Sequence, residues 1–228
     1  MEFIYDKKDM ETCWYKTVCG KECQEPCLRH RKMWYLVKMA MLDGNMSHPP
    51  VLRPDEVDYN AFTRLKEIKQ NVREYINAGK NLLIYSTNTG NGKTKWAIKI
   101  LLAYLDSIWA TSDVECRAIF VSMPKFMFAA KNHFDKPDDY YDYIMENIFD
   151  ADLVVWDEIN FKEWTSYEQD IMLNIVNQRI EQGKSNIYTT NFDLPTIEQM
   201  LGARLNSRIV GLSEKVQFFG GDKRGLDI

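Results

Sequence analysis

A short polar turn between two apolar stretches carries the residues with the most definite chemistry. Residues 82–94 read Leu-Leu-Ile-Tyr-Ser-Thr-Asn-Thr-Gly-Asn-Gly-Lys-Thr and continue into a helical apolar pattern. A strand, loop and helix N-terminus in this order direct backbone N–H groups and the helix dipole at a phosphate. Lys93 would reach the β- and γ-phosphates of a nucleotide, and the Thr94 hydroxyl would hold Mg²⁺. The turn therefore predicts an ATP or GTP site formed by Thr89, Gly90, Asn91, Gly92, Lys93, Thr94 and Lys95.

The turn departs from the usual G-x-x-x-x-G-K-[ST] pattern at its first position, where Thr87 replaces glycine. The Gly92-Lys93-Thr94 end, which carries the phosphate and Mg²⁺ chemistry, is intact. The alternative is a chance Gly-Lys-Thr at a surface turn. The strand pattern before it and the helix pattern after it favour the nucleotide site.

Two carboxylates and an amide follow later apolar segments. Asp157 and Glu158 end the run Asp-Leu-Val-Val-Trp-Asp-Glu, and Asn191 follows Asn-Ile-Tyr-Thr-Thr. Asp157 is predicted to act on the Mg²⁺ side of the site, and Glu158 to orient and deprotonate an attacking water. Asn191 is predicted to lie near the γ-phosphate and this water. The alternatives are a solvated strand end for the acids and a turn residue for Asn191.

The elements that must position these residues alternate between strand and helix patterns. Strands are predicted at 81–86, 117–122, 152–158 and 186–190, with a last strand-like segment at 216–219. Helices are predicted after Asp58, from Phe62 to Ile76 with Gly79 as the stop, and from Thr165 to Gln182. This order favours an α/β fold with a parallel sheet and right-handed crossovers. Ligands of such sheets bind at the carboxyl ends of the strands.

A second group of possible ligands lies near the N-terminus. Four of the five cysteines fall close together and are followed by a histidine: Cys13, Cys19, Cys23, Cys27 and His30. Thiolates with one imidazole suit tetrahedral Zn²⁺, although these spacings match no familiar Cys-x₂-Cys pair. A disulfide framework and a cluster of small buried side chains are the alternatives. The sequence does not decide whether Cys13 or His30 is the fourth ligand.

The chain divides by composition into three parts. Residues 1–45 form the predicted Cys-rich zinc module, which has an apolar helix at 33–42 near its end. Residues 46–57 form a predicted linker that contains prolines, and residues 58–228 form the predicted nucleotide-binding domain. A hydrophobic fraction of 45% is enough for a core, and a net charge of −4 argues against a globally basic nucleic-acid binder. Neither a secretory signal nor a membrane-spanning run is recognisable, so a cytoplasmic location is expected.

The order of these motifs resembles the AAA+ ATPases, and more narrowly the DnaC/DnaI-type replicative helicase loaders and their IstB-like relatives. The resemblance covers residues from 82 onward and rests on Gly-Asn-Gly-Lys-Thr, Val-Val-Trp-Asp-Glu, Tyr-Thr-Thr-Asn and Leu-Gly-Ala-Arg-Leu-Asn-Ser-Arg-Ile. It implies that Arg208, with Arg204 as a secondary candidate, enters a neighbouring subunit's ATP site as an arginine finger. It also implies ATP hydrolysis with Mg²⁺, self-association through the ATP site, and no helical lid, for which the chain has no room.

The same resemblance implies partners. The N-terminal module would grip a DnaB-type replicative helicase, and the ATPase domain would bind single-stranded DNA, with no membrane involved. The build is phage-like, which would place the protein in a host cytoplasm. The alternatives are an IstB-like transposition ATPase and an ATP-binding assembly adaptor with little turnover.

Residues 125–150 between the second and third strands are longer than a simple crossover. Their first half interleaves Lys125, Lys131, His133 and Lys136 with aromatic residues, a pattern suited to single-stranded DNA. The later half is acidic, so only Lys125–Lys136 is a candidate DNA face. An amphipathic helix packed on the sheet is an equally good interpretation.

Overall fold

The fold is organised around a parallel β-sheet. A computed structural model of the chain describes residues 3–5, 13–19, 27–133, 136–159 and 162–223. Within these residues five strands form one sheet in the order β2-β3-β4-β1-β5, and every pairing is parallel. The strands are β1 (Asn81–Tyr85), β2 (Ala118–Ser122), β3 (Leu153–Asp157), β4 (Ser185–Thr190) and β5 (Ser213–Gln217). The predicted parallel α/β fold is confirmed.

Helices flank this sheet and provide its crossovers. Before β1 the described residues form α1 (Lys16–Cys19), α2 (Leu28–Met39), α3 (Tyr59–Gln70) and α4 (Val72–Asn77). Between the strands lie α5 (Lys93–Ile108), α6 (Met123–Asn132), α7 (Asp139–Asn147), α8 (Ser166–Glu181) and α9 (Leu194–Ile209). Thr165 caps α8 in a reciprocal hydrogen-bonded pair with Glu168, so this helix begins where its sequence predicted. No described helix is both long enough and apolar enough to span a bilayer.

The sheet separates two apolar clusters. Successive β1 residues alternate between them: Leu82 and Ile84 pack into one cluster, and Leu83 and Tyr85 into the other. This alternation follows from the two-residue period of a strand. Because helices cover both faces, β1 is fully buried and its sequence is almost continuously apolar.

Helix α2 packs on the same core as the sheet. It begins at Leu28, earlier than the predicted apolar segment at 33–42, and Cys27 lies at its N-cap. Met33, Leu36 and Val37 belong to the apolar cluster that also contains α5. The Phe120 N–H in β2 donates to the Ala40 carbonyl at 2.9 Å. This part of the predicted N-terminal module therefore contacts α5 and β2 of the α/β fold directly.

Two predicted elements differ from the structure. The predicted helix after Asp58 is interrupted at Asn71, which has non-helical backbone angles and separates α3 from α4. Asp58 precedes α3 but makes no capping hydrogen bond, because its carboxylate accepts from the Phe219 and Gly220 N–H groups instead. The last strand spans Ser213–Gln217 rather than 216–219, since its pairing with β1 begins at Ser213.

Candidate functional site

A cleft of about 440 Å³ lies at the carboxyl ends of β1, β3 and β4. It is lined by Thr89, Gly90, Asn91, Gly92, Lys93, Thr94, Lys95, Glu158, Thr189 and Asn191. The structure thus brings together all seven residues predicted around the turn with the predicted Glu158 and Asn191.

The turn has the backbone of a phosphate-binding loop (P-loop). Gly90 and Gly92 have φ values of 71° and 102°, which favour glycine. Helix α5 begins at Lys93, so its unpaired N–H groups and its dipole open on the cleft. Thr87 is not among the described positive-φ residues. A glycine is therefore not needed at the position where the motif departs from the usual pattern.

Lys93 is held against its own loop. Its side chain is almost fully buried, and Nζ donates to the Asn88 carbonyl at 2.7 Å and to Asn91 Oδ1 at 3.1 Å. Asn91 is fully buried, and its Nδ2 donates to Ser86 Oγ at 2.8 Å. The lysine thus lies in the cleft, and its ammonium group is hydrogen-bonded to two loop residues.

Asp157 joins the P-loop helix to the neighbouring strand. Its Oδ1 accepts hydrogen bonds from the Thr94 hydroxyl at 2.7 Å and from the Thr189 hydroxyl at 2.6 Å. Burial raises the pKa of Asp157 above its ordinary value, and the two hydroxyl hydrogen bonds oppose this shift. A bound cation would stabilise such a desolvated carboxylate. Hydroxyl and carboxylate oxygens are ligands that Mg²⁺ prefers, so Thr94 and Asp157 fit this metal.

Glu158 has an unusual backbone for a non-glycine residue. Its φ is 59°, and only Met41 shares a positive φ among the described non-glycine residues. The Glu158 N–H donates to Thr189 Oγ1 at 3.0 Å, which holds the strained turn in place. Strained residues occur often at functional sites, where the surrounding structure maintains them. Here the exposed Glu158 lines the cleft one residue after Asp157.

Arg204 and Arg208 lie on helix α9, outside the lining of this cleft. Both side chains are exposed, and neither forms an ion pair or hydrogen bond with another described residue. Gly202 interrupts the helix with φ 73° and ψ 160°, so both arginines lie on the part that follows the interruption. The structure therefore presents two exposed cations on one short helical segment.

The N-terminal cysteines show a different outcome. Among the residues that can be described, no three of the His, Cys, Asp or Glu side chains are grouped to hold a metal ion. Cys27 Sγ accepts from the His30 N–H at the start of α2, and Cys13 Sγ accepts from the Tyr15 N–H. Cys19 is exposed, and Cys23 lies outside the described residues. The described ligands alone do not fit zinc, and the zinc site stays a prediction.

The candidate DNA face combines buried and exposed residues. Phe126 on α6 is fully buried, whereas Phe128 on the same helix is 69% exposed. The Lys125 ammonium lies 3.7 Å from the centre of the Tyr140 ring, a close cation–π contact. One side of α6 therefore packs on the core, as an amphipathic helix would. The other side exposes the Phe128 ring to solvent.

Three features of the site were not predicted from sequence. Thr189 binds the Asp157 carboxylate and the backbone N–H of Glu158, yet only its place in Tyr-Thr-Thr-Asn before Asn191 indicated it. Asn88 accepts from Lys93 within the loop. Asp58 reaches the segment after β5, which no local pattern indicates.

Comparisons with known proteins identify similar folds rather than similar sequences. No protein-family model matches the chain, and no curated protein sequence matches it. Among solved structures, the DnaC helicase loader has a TM-score of 0.60 at 17% identity, over 80% of this chain and 99% of that one. DnaI has a TM-score of 0.60 at 19% identity, over 85% of this chain and 100% of that one.

The replication initiator DnaA bound to AMPPCP and single-stranded DNA is similar over a smaller share of its length. Its TM-score is 0.56 at 20% identity, over 75% of this chain and 49% of that one. The present chain thus spans about half of that DnaA chain. The structural neighbours include the DnaC helicase loader, DnaI and DnaA, and the chain shares their α/β fold, as the motif resemblance predicted.

Proposed function

We propose that this chain is an ATP-dependent loader of a replicative DNA helicase, acting in the initiation of DNA replication. The observation that carries the proposal is the cleft in which Lys93, Thr94 and Glu158 meet beside Asp157. The shared fold with a DnaC helicase loader and with nucleotide-bound DnaA supports the same function.

Nucleotide binding follows from the loop. The backbone N–H groups at the start of α5 and the Lys93 ammonium would bind the phosphates, and Thr94 and Asp157 would hold Mg²⁺. When bound, the metal neutralises charge on the phosphate oxygens. The residues Thr89 to Lys95 therefore form the proposed ATP contacts.

Hydrolysis requires a base and a polar group near the γ-phosphate. We assign the base to Glu158, which would accept a proton as the water oxygen bonds to the γ-phosphorus. The bond between the γ-phosphorus and the β–γ bridging oxygen breaks, and ADP and phosphate leave. Asn191, which also lines the cleft, would orient the water or the γ-phosphate.

The remaining assignments concern assembly. Arg208 of a second copy would complete the ATP site, with Arg204 as the secondary candidate, so the active form would be an oligomer. The α6 segment with Lys125, Lys131 and exposed Phe128 would contact single-stranded DNA. Residues 1–45 would bind the DnaB-type helicase.

The first test of hydrolysis is multiple-turnover ATP consumption with and without single-stranded DNA. Glu158→Gln should retain ATP binding and lose about 10²-fold or more in turnover, since only the water-activating carboxylate is removed. The control is Glu181→Gln, which changes an exposed carboxylate at the end of α8. Normal turnover in Glu158→Gln would remove Glu158 from this role.

The second test identifies the partner by co-purification of the full chain with a DnaB-type helicase. Capture that needs ATP supports the loader. Capture of a transposase instead would indicate the IstB-like activity. ATP-dependent assembly without turnover would indicate an adaptor.

A further inference from the structure

The segment that follows β5 runs beside the P-loop and is hydrogen-bonded at both of its ends. This segment, residues 218–223, is called the strap. The Phe218 N–H donates to the Tyr85 carbonyl at 2.9 Å, at the end of β1. The Lys223 N–H donates to the Gly90 carbonyl at 3.0 Å, inside the P-loop. The backbone of the strap is therefore hydrogen-bonded to the end of β1 and to the middle of the P-loop.

Two P-loop asparagines also contact the strap with their side chains. Asn88 Nδ2 donates to the Phe219 carbonyl at 2.8 Å and to the Gly220 carbonyl at 3.2 Å. Asn91 Nδ2 lies 3.4 Å from the same Gly220 carbonyl, a longer hydrogen bond. These are the residues that accept from the Lys93 ammonium, Asn88 through its carbonyl and Asn91 through Oδ1.

Asp58 holds the other side of the strap. Its carboxylate is fully buried, and Oδ1 accepts from the Phe219 N–H at 2.7 Å and from the Gly220 N–H at 3.1 Å. The two residues whose carbonyls accept from the asparagines thus also donate their N–H groups to Asp58. Two backbone N–H donors on one buried carboxylate suit an anchoring role.

An ion pair and a glycine allow the strap to lie in this place. Lys223 is buried, and its Nζ forms an ion pair with Asp55 Oδ2 at 2.7 Å. A Cβ at Gly220 would lie 2.2 Å from Asp55 Oδ2 and 2.5 Å from Asp58 Oδ2. Glycine is therefore required for the strap to approach both carboxylates.

We propose that Asp58, acting through the strap, is a positioning residue for Lys93 in the phosphate site. The path runs from the Asp58 carboxylate to Gly220, from Gly220 to Asn88 and Asn91, and from these to the Lys93 ammonium. Every step is one of the hydrogen bonds described above. The inference rests on the proposed function, because it takes the ligand of Lys93 to be the β- and γ-phosphates of a nucleoside triphosphate.

The main test compares ATP with AMP, which lacks the two phosphates that Lys93 would contact. In the full chain, Asp58→Ala should weaken ATP binding about tenfold and leave AMP binding unchanged. Asp58→Asn keeps one acceptor oxygen, so it should lose less than Asp58→Ala. An equal loss for ATP and AMP, or no loss for ATP, would overturn the proposal.

Asp152→Ala is the matched control for simple destabilisation. Asp152 is also a hydrogen-bonded carboxylate, which accepts from Tyr104 at 2.7 Å and from Lys184 at 3.0 Å. It immediately precedes β3, so it lies at the amino ends of the strands, away from the cleft at their carboxyl ends. This variant should lower the melting temperature but change the affinities for ATP and AMP by the same factor. If Asp152→Ala weakens ATP binding selectively, as expected for Asp58→Ala, the selective loss results from general destabilisation and the proposal is wrong.

Hydrogen exchange without nucleotide tests the path independently of the proposed function. Asp58→Ala should accelerate exchange both in the strap and in residues 88–93, while helix α8 keeps its wild-type exchange. Faster exchange confined to the strap would overturn the proposal. Absence of ATP binding in the wild-type chain would contradict the proposed function alone, because exchange still reports whether Asp58 orders the P-loop.

Discussion

The Thr94 hydroxyl donates a 2.7 Å hydrogen bond to Asp157 Oδ1, between residues 63 positions apart in the chain. This bond connects the first turn of α5 to the last residue of β3. Thr189 donates to the same oxygen from the adjacent strand β4. Three elements therefore converge on one carboxylate, and together they form the metal side of the proposed nucleotide site.

The first prediction concerns Lys93. Lys93→Ala should abolish ATP binding at concentrations that saturate the wild type, because it removes the ammonium expected to face the β- and γ-phosphates. The folded state should survive, since Lys93 lines the cleft and belongs to neither of the two apolar clusters. Calorimetric titration with ATP, together with a thermal melt, measures both outcomes.

Lys99→Ala provides the matched control for Lys93. Lys99 lies on the same helix and is partly buried, but it does not line the cleft. Its replacement should leave ATP affinity unchanged. Wild-type affinity in Lys93→Ala would exclude the P-loop assignment.

The local parts of the site could be predicted because each depends on a short stretch of sequence. Residues 82–94 contain the strand, the turn and the helix start together, and the turn residues line the cleft as expected. The apolar run before Asp157 likewise forms a strand whose end reaches this site.

Long-range contacts could not be predicted from these patterns. Thr189 reaches Asp157 only because β4 lies beside β3, and strand order is not encoded in local periodicity. Asp58 looked like a helix cap, a role that its residue type and position both favour. Its carboxylate instead accepts from the Phe219 N–H, 161 residues away, because the segment after β5 passes beside it.

The second prediction concerns a buried cation, Arg179, near the amino ends of strands β3 and β4. Arg179 is fully buried and donates to Asn186 Oδ1 at 2.8 Å, to the Ala151 carbonyl at 2.9 Å and to the Ser185 carbonyl at 2.7 Å. Burial lowers the pKa of Arg179 to about 10, so the guanidinium is still charged at neutral pH and these acceptors compensate its desolvation.

Arg179→Met should therefore lower the free energy of unfolding by about 3 kcal/mol or more, because it leaves buried carbonyl groups without donors. Urea denaturation measures the change, and ATP affinity at low temperature should be retained. Arg73→Met, at an exposed position on α4, is the control and should change stability little. Equal stability of the two variants would show that the buried hydrogen bonds of Arg179 contribute nothing.

The third prediction concerns zinc in the N-terminal segment. Elemental analysis of freshly reduced protein should find about one zinc per chain, and Cys23→Ser should lose it. Helicase binding should fail in this variant while ATP binding persists, since the two sites use separate parts of the chain. Burial raises the pKa of Cys116 to about 11, which makes its thiol a poor metal ligand and Cys116→Ser a suitable control. Protein without zinc would leave the N-terminal cysteines as ordinary side chains.

The last prediction concerns Arg208 and tests whether two copies share one site. Arg208→Ala should bind ATP normally and lose about a hundredfold or more in turnover, as expected for an arginine supplied by a neighbour. Arg204→Ala, one turn earlier on the same exposed face, should lose less. ATP binding and turnover are measured on each protein alone.

Mixing the two inactive variants then separates a shared site from an internal one. Arg208→Ala retains Glu158, and Glu158→Gln retains Arg208, so some mixed interfaces combine an intact base with an intact arginine. Turnover in the mixture should exceed that of either variant alone. An arginine that acts within its own chain, or one that is only solvated, gives no such recovery. If both variants co-assemble and the mixture stays inactive, Arg208 does not complete a neighbour's ATP site.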